Sequence, residues 1–151
     1  MKILTAAFLL APAVAMATPP DACSLLTLDE INAIAEHRAE KPLVQLSGNP
    51  SKCSFVDARK GAVVLVNVRE VQYAVRDEMH HERENLEKIY KMRAKPLDTI
   101  GEGGYWLPAT HQITFRKGKL IATVTFALPK NQNEVDTSQA ARLVESRLVP
   151  K

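Results

Sequence analysis

Cysteine is scarce in this sequence, which contains only Cys23 and Cys53. The two lack the Cys-x-x-Cys spacing that lowers a thiol pKa, and this argues against a redox-active pair. They allow one intramolecular pairing, which closes a loop of about 30 residues and stabilises a fold by roughly 3 to 4 kcal/mol in the chain-entropy model. Paired thiols persist as disulfides in oxidising compartments. We therefore predict a structural disulfide between Cys23 and Cys53 in an exported protein.

A strong charge of either sign is also missing. The formal net charge is +3, from 20 Lys and Arg residues against 17 Asp and Glu residues. Proteins that bind nucleic acid usually carry a clear basic excess. The balance of charges therefore argues against nucleic acid as a partner.

Long apolar runs are confined to the N-terminus. Lys2 gives a positive start, an apolar run extends from Ile3 to Val14, and Ala15-Met16-Ala17 has the small-x-small pattern of a cleavage site. The run is nearer about 15 residues than the roughly 20 that span a bilayer. The pattern predicts a signal peptide over residues 1–17, cleaved after Ala17.

The predicted mature chain is short enough for one domain. Removing 17 of the 151 residues leaves 134 and lowers the formal charge from +3 to +2, because Lys2 is lost. Cys23 follows Pro20-Asp21-Ala22, which does not resemble a lipoprotein signal. We expect residues 18–151 to form a single disulfide-bonded domain that is periplasmic or secreted, with no membrane span after processing.

The first half of the mature chain predicts one helix and two strands. Thr27-Leu28-Asp29-Glu30 is a capping box, followed by a helix from Leu28 to about Arg38. Prolines and Gly48 predict a loop up to Pro50. Strands are then expected over Cys53 to Asp57 and Ala62 to Arg69, joined by a short hairpin turn.

The second half predicts a long helix, three strands and a last helix. An apolar stripe indicates a helix from about Gln72 to Met92, although Glu82 interrupts the stripe. Strands are expected at Tyr105 to Leu107, His111 to Lys117 and Lys119 to Leu128, and a final helix capped by Asp136 with Gln139. The order α-β-β-α-β-β-β-α favours an α+β fold, with an antiparallel sheet of about five strands and helices packed on a face.

Residues that could bind a metal are few. His80 and Glu84 are four residues apart, so they share a helix face and could both reach one divalent ion. A third ligand is not apparent, and a solvated charged face explains the same residues. We predict no metal site and no cofactor, and keep His80 and Glu84 as the candidates for a metal-binding alternative.

Catalytic motifs are missing as well. Gly101-Glu102-Gly103-Gly104 matches no phosphate-binding glycine motif and is followed by strand-like residues, so a tight turn is expected. No serine lies in a Gly-x-Ser-x-Gly elbow. Tyr105 and Trp106, the only adjacent aromatic residues, could either fill the core or line a binding cleft.

Three short segments carry a resemblance. Asp21-Ala22-Cys23-Ser24-Leu25-Leu26-Thr27, the Lys-Cys-Ser-Phe strand at Cys53, and Ile100-Gly101-Glu102 before Tyr105-Trp106 resemble a group of small secreted bacterial domains of unknown function, many of them lipoproteins. The resemblance implies a disulfide between the two cysteines and an antiparallel sheet backed by helices. It departs in Glu102, where Asp is usual, in an extra glycine and in the missing lipobox.

The leading functional hypothesis is a non-enzymatic, exported binding module. Its partner would be an envelope protein or a small apolar ligand held between the sheet and the helices. An exported hydrolase and a metal-binding protein that uses His80 and Glu84 are the alternatives.

Overall fold

The computed structural model describes residues 18–36, 38–72 and 74–149. The predicted signal peptide lies outside these residues. The elements in chain order are a 3-10 helix at Ala22–Ser24, α1 (Leu28–Ile34), β1 (Lys41–Leu46), β2 (Ser51–Val56), β3 (Ala62–Glu70), α2 (Val75–Tyr90), β4 (Lys95–Leu97), β5 (Gly104–Leu107), β6 (Gln112–Lys117), β7 (Leu120–Phe126), a 3-10 helix at Pro129–Asn131 and α3 (Glu134–Arg147).

The strands form one antiparallel sheet, as predicted, in the order β1-β2-β3-β7-β6-β5-β4. The described residues contribute seven strands, so the prediction of about five was wrong in number, and the predicted element order lacks β1 and β4. Both missed strands contain a proline, Pro42 and Pro96, and both lie at an edge of the sheet. An edge strand tolerates proline because one side of its backbone needs no partner.

The two faces of the sheet differ in chemistry. Val66 of β3 lies opposite Val124 of β7, and both belong to the hydrophobic core with Ala141 and Val144 of α3. Because successive side chains in a strand point to opposite faces, Arg69 and its neighbours across the ladder lie on the other face. We call the face that carries Val66 the core face and the face that carries Arg69 the polar face.

Helices lie on both faces of the sheet, so the prediction that they pack on one face was incomplete. Helix α3 packs on β6 and β7 and contacts α1 on the core face. Helix α2 lies against the polar face, where Arg69 forms ion pairs with Glu78 and Glu82. Among the described residues, no helix is long and apolar enough to cross a membrane.

The ends of the helices show which caps were visible in the sequence. The capping box is present, since Thr27 accepts from the Glu30 amide and the Glu30 carboxylate accepts from the Thr27 amide. Helix α3 begins earlier than predicted, because the cap is Asn133, whose side chain accepts from the Asp136 amide. Helix α1 ends at Ile34, where the distant Asn131 donates to the Ile34 carbonyl at 3.1 Å.

The predicted disulfide between Cys23 and Cys53 is present and joins the N-terminal segment to β2. The Cα atoms of the two cysteines are 5.1 Å apart. Next to this bridge, the Ala22 amide donates to the Ser51 hydroxyl at 2.9 Å. Residues that precede α1 are therefore tied to the sheet by a covalent bond and by a hydrogen bond.

Candidate functional site

Helix α2 packs on the sheet through ion pairs more than through apolar contacts. None of the residues of α2 is buried, and the apolar stripe predicted for it includes Ile89 and Tyr90, which are 69% and 46% exposed. Glu82, the residue that interrupts that stripe, forms an ion pair with Arg69 instead. An amphipathic helix normally buries an apolar stripe, so this contact between α2 and the sheet is unusually polar.

The sheet beneath α2 carries a polar network. The Thr114 and Thr123 hydroxyls, on β6 and β7, are 3.1 Å apart, and the Gln112 amide donates to Thr114 at 3.3 Å. Asn67 on β3 lies on the same face, and its side-chain oxygen is buried without a hydrogen-bond partner among the described residues. Buried polar atoms in folded proteins are nearly always paired, so this atom is a site where a further hydrogen-bond partner can bind.

Tyr105 is a large, deeply buried polar side chain on the same face. It is 1% exposed, and its hydroxyl has no hydrogen-bond partner of good geometry among the described residues. Burial raises the pKa of Tyr105 to about 12, and the negative charge of Glu82 adds to that rise. The phenol is therefore neutral and keeps a proton that it can donate.

A pocket opens between α2 and the sheet next to Tyr105. We call it the α2 pocket. Helix α2 contributes Arg76, Met79, His80 and Arg83 to its lining. Its volume is about 180 Å³, which is below the roughly 300 to 1,000 Å³ of pockets that hold drug-sized ligands. The pocket therefore fits a small ligand or one end of a larger one.

The other wall of the α2 pocket comes from the turn after β4 and from the sheet. Glu102 and Gly103 lie in the turn, Tyr105 in β5 and Arg116 in β6. Arg116 forms an ion pair with Glu102 at 3.2 Å, and its Nε donates to the Glu102 carbonyl oxygen at 3.2 Å. This contact neutralises one arginine of the pocket and fixes its position.

Two further arginines of the pocket have no carboxylate partner within the described residues. Arg76 forms no ion pair there, and the Nη2 of Arg83 lies 3.1 Å from the His80 Nδ1. The Nε of Arg83 is buried without a partner in the same part of the chain. With three guanidinium groups and one carboxylate, the α2 pocket is electropositive although the whole chain has nearly balanced charges.

The turn that carries Glu102 depends on glycine. Gly101 and Gly103 have φ values of +61° and +97°, in agreement with the predicted tight turn. A Cβ atom on Gly101 would lie 2.4 Å from the Arg116 carbonyl oxygen. The glycine therefore brings the turn close to β6, where Glu102 meets Arg116.

The two adjacent aromatic residues have different surroundings. Tyr105 lines the α2 pocket on the polar face. Trp106 lies opposite Ile113 and belongs to the hydrophobic core, with an exposure of 6%. Successive side chains of a strand point to opposite faces of the sheet, so Tyr105 lies on the polar face and Trp106 on the core face.

The metal-binding candidates lie on the surface of α2. The His80 Nε2 is 3.2 Å from the Glu84 carboxylate, as their spacing predicted, and the His81 Nδ1 is 4.0 Å from the same group. Within residues 18–36, 38–72 and 74–149, no three His, Cys, Asp or Glu side chains come together in a group that could hold a metal ion.

Ser24 and Ser51 have structural hydrogen bonds. Ser51 accepts from the Ala22 amide, and Ser24 donates to the Asp21 carbonyl at 2.7 Å. In the part of the chain that the structure describes, no serine hydroxyl is hydrogen-bonded to a histidine. The Ser51 hydroxyl therefore connects β2 to the N-terminal segment, and the Ser24 hydroxyl binds the backbone of the nearby Asp21.

The arginines of the α2 pocket were not recognised in the sequence. Arg76, Arg83 and Arg116 come from two elements that are far apart along the chain, and surface arginines are too common to attract notice. The one local signal that could have found the pocket is Glu82, whose place in an apolar stripe is explained by its ion pair with Arg69 on the sheet. Tyr105 was named as a ligand-binding candidate, but its charged surroundings were not foreseen.

Comparisons with protein-family models, with curated proteins and with solved structures found no match for this chain.

Proposed function

We propose that this chain is an exported binding module, without enzymatic activity, that holds its ligand in the α2 pocket. The observation that carries the proposal is the polar packing of α2 on the sheet, which leaves Tyr105 and Arg83 with buried polar atoms that have no partner among the described residues. Such atoms cost about 1 to 3 kcal/mol each. A ligand that pairs with these atoms would recover this cost on binding.

The compartment forms part of the same proposal. Residues 1–17 have the pattern of a cleaved leader, and a disulfide such as that between Cys23 and Cys53 is consistent with an oxidising compartment. The basic lining of the α2 pocket favours a polar ligand over the small apolar ligand that the sequence suggested.

Affinity capture with matched variants tests this function. Oxidised protein comprising residues 18–151 is immobilised and exposed to an envelope extract, beside the double variant Arg76→Gln/Arg83→Gln and the control Arg59→Gln. Arg59 lies in the turn between β2 and β3, outside the α2 pocket. The wild type and the control should retain the same molecule, and the double variant should retain less than about a tenth as much.

Equal retention by all three proteins would show that binding occurs elsewhere on the surface and would overturn the proposal. Turnover of an ester or peptide substrate by the wild type, with no molecule retained, would favour the exported hydrolase instead.

A further inference from the structure

We infer that the α2 pocket recognises a phosphate or sulfate group, either free or at one end of a larger ligand. This inference rests on the proposed binding function and names the chemistry of the ligand. It is drawn from the charges, donors and size of the pocket.

The charges of the pocket lining favour an oxyanion. Arg76 and Arg83 of α2 and Arg116 of β6 line the pocket, and Glu102 is the one acidic residue of the lining. Glu82 lies outside the lining but close enough to Tyr105 for its charge to raise the pKa of that residue. Arginine matches phosphate and carboxylate groups because its fork of N–H donors can form two parallel hydrogen bonds. Three such groups around one pocket suit a group with several oxygens and more than one charge.

The hydrogen-bond donors of the pocket are incompletely used. The Tyr105 hydroxyl and the Arg83 Nε are both buried, and neither has a hydrogen-bond partner of good geometry among the described residues. Thr114 and the Glu82 carboxylate are the side chains close to the Tyr105 hydroxyl. Both groups lie in residues that line the pocket, and both can donate a hydrogen bond to a ligand. The negatively charged oxygens of an oxyanion are acceptors, which suits both donors.

A small movement of α2 would bring an anion to these donors. None of the residues of α2 is buried, so an outward shift of the helix exposes little apolar surface. Ala74 and Lys91, at the two ends of α2, have positive φ values of 50° and 52°. The helix is thus flanked by two bends of the backbone and is attached to the sheet mainly through the ion pairs of Arg69.

The volume of the pocket limits what it can enclose. About 180 Å³ is enough for a small polyatomic group but is less than a drug-sized ligand fills. Any remainder of the ligand would extend into solvent over α2 and the turn at Gly103. The pocket therefore selects the chemical group at the end of the ligand, and it makes few contacts that would select the rest of the ligand.

Calorimetric titration with inorganic phosphate is the direct test, with sulfate as a second anion. The wild type and Arg59→Gln should bind with the same affinity. Arg83→Gln and Arg76→Gln should each weaken binding at least about tenfold, because each removes one charge from the site. Tyr105→Phe should weaken it several-fold without a large fall in Tm, since the lost hydroxyl has no hydrogen-bond partner of good geometry among the described residues.

Two further ligands distinguish the possible sources of the phosphate group. Glycerol phosphate represents a soluble phosphomonoester, and vesicles that contain phosphatidylglycerol represent a lipid headgroup. Binding of any of these ligands that is weakened in the arginine variants supports the inference and identifies the source. No binding of any of them, or binding that is equal in the wild type and in the arginine variants, overturns it.

The result separates this inference from the proposed function. If the captured envelope ligand depends on Arg76 and Arg83 but phosphate, sulfate and the phospholipid do not bind, the binding function stands and the assignment to an oxyanion is wrong. Near-ultraviolet circular dichroism of each variant establishes that it is folded, and Tyr105→Phe provides a test that leaves every charge in place.

Discussion

Glu30 combines a local and a distant role. Its carboxylate closes the capping box of α1 and also accepts from the Arg147 guanidinium of α3 at 2.5 and 2.8 Å. The hydrogen bond from Arg147 is the main cause that lowers the pKa of Glu30 from 4.5 to about 2, and the Thr27 amide adds to this. One carboxylate therefore stabilises the start of α1 and its contact with α3.

The Glu30 contact should make stability depend on pH in the acid range. The folded state lowers the pKa, so the stabilisation is fully present above about pH 4.5 and is lost as the pH falls through about 2. Glu30→Gln keeps an acceptor for the Thr27 amide but lacks the charge. It should lower the unfolding free energy at pH 7 by about 1 kcal/mol, since solvent screens part of the interaction.

Urea denaturation at several pH values checks this prediction. The difference between the wild type and Glu30→Gln should shrink towards zero between pH 4.5 and pH 2. Asp29→Asn removes a charge from the same helical turn without touching Arg147 and serves as the control. A difference that is constant with pH would mean that the carboxylate charge contributes nothing.

Gly101 is the residue at which the turn of the α2 pocket is most constrained. Gly101→Ala places a Cβ atom 2.4 Å from the Arg116 carbonyl oxygen and 2.8 Å from the Phe115 ring, at a φ of +61°. Gly48→Ala is a matched control, because Gly48 also has a positive φ but no atom within 4 Å of the added Cβ.

We expect Gly101→Ala to be more destabilising than Gly48→Ala by about 2 kcal/mol, because both carry the cost of a positive φ and only the first also carries a clash with backbone. Chemical denaturation of the two variants measures the difference. Equal losses would show that the turn moves away from β6 at no cost.

The sequence predicted residue roles that depend on near neighbours. The capping box of Thr27 and Glu30 was visible because both partners lie within four residues. Asn131, which binds the end of α1, and Arg69, which holds α2, were not visible, because their partners are set by the tertiary fold. The α2 pocket was missed for the same physical reason.

At the scale of elements, proline misled the prediction of strands. Pro42 was taken as part of a loop and no strand was predicted at Pro96, yet β1 and β4 include them at the two edges of the sheet. A strand is recognised as an edge only when the order of the sheet is known, and the order was not predictable. Strands that lie inside the sheet were predicted within a few residues, because their apolar patterns are strong.

Helix α2 should be the least stable of the long elements. Its ion pairs with Arg69 are partly exposed, and it buries no apolar side chain. Amide hydrogen exchange in α2 should be faster than in α3, whose Ala140, Ala141 and Val144 are buried. Raising the salt concentration should widen the difference, because salt screens the ion pairs of α2.

Arg69→Met should accelerate exchange in α2 and leave α3 unchanged. The matched control is Arg142→Met, which removes an exposed arginine of α3 that donates to the Thr99 hydroxyl at 3.0 Å. If α2 exchanges as slowly as α3 in the wild type, the helix is held by contacts other than these ion pairs.

At the scale of the whole molecule, the sheet joins two consecutive strand groups. The chain forms β1-β2-β3, crosses the polar face as α2, and returns as β4-β5-β6-β7, so that β7 pairs with β3 along seven residue pairs. The N-terminal segment packs on the first group and α3 on the second. The core face is therefore covered by the N-terminal segment on one strand group and by the C-terminal helix on the other.

The disulfide should contribute a large share of the stability of this arrangement. The segment from Thr18 to Cys23 is held to β2 by the Cys23–Cys53 bond and by the hydrogen bond from Ala22 to Ser51. The segment also packs on the sheet, where Pro19 and Ala22 are buried, but these are its only fully buried residues before Cys23. Loss of the bond should lower the unfolding free energy by roughly 2 to 4 kcal/mol, out of the roughly 5 to 15 kcal/mol of a typical domain.

Cys53→Ser, and separately reduction of the wild type, measure this contribution through Tm, which should fall by several degrees. Ser51→Ala serves as a comparison, because it removes the neighbouring hydrogen bond to Ala22 and leaves the covalent link intact. It should lower the unfolding free energy by about 1 kcal/mol.

Because the α2 pocket lies on the opposite face of the sheet from the bridge, ligand binding by Cys53→Ser should be unchanged at temperatures where the variant is folded. An unchanged Tm after reduction would show that the N-terminal segment is held by its packing against the core alone.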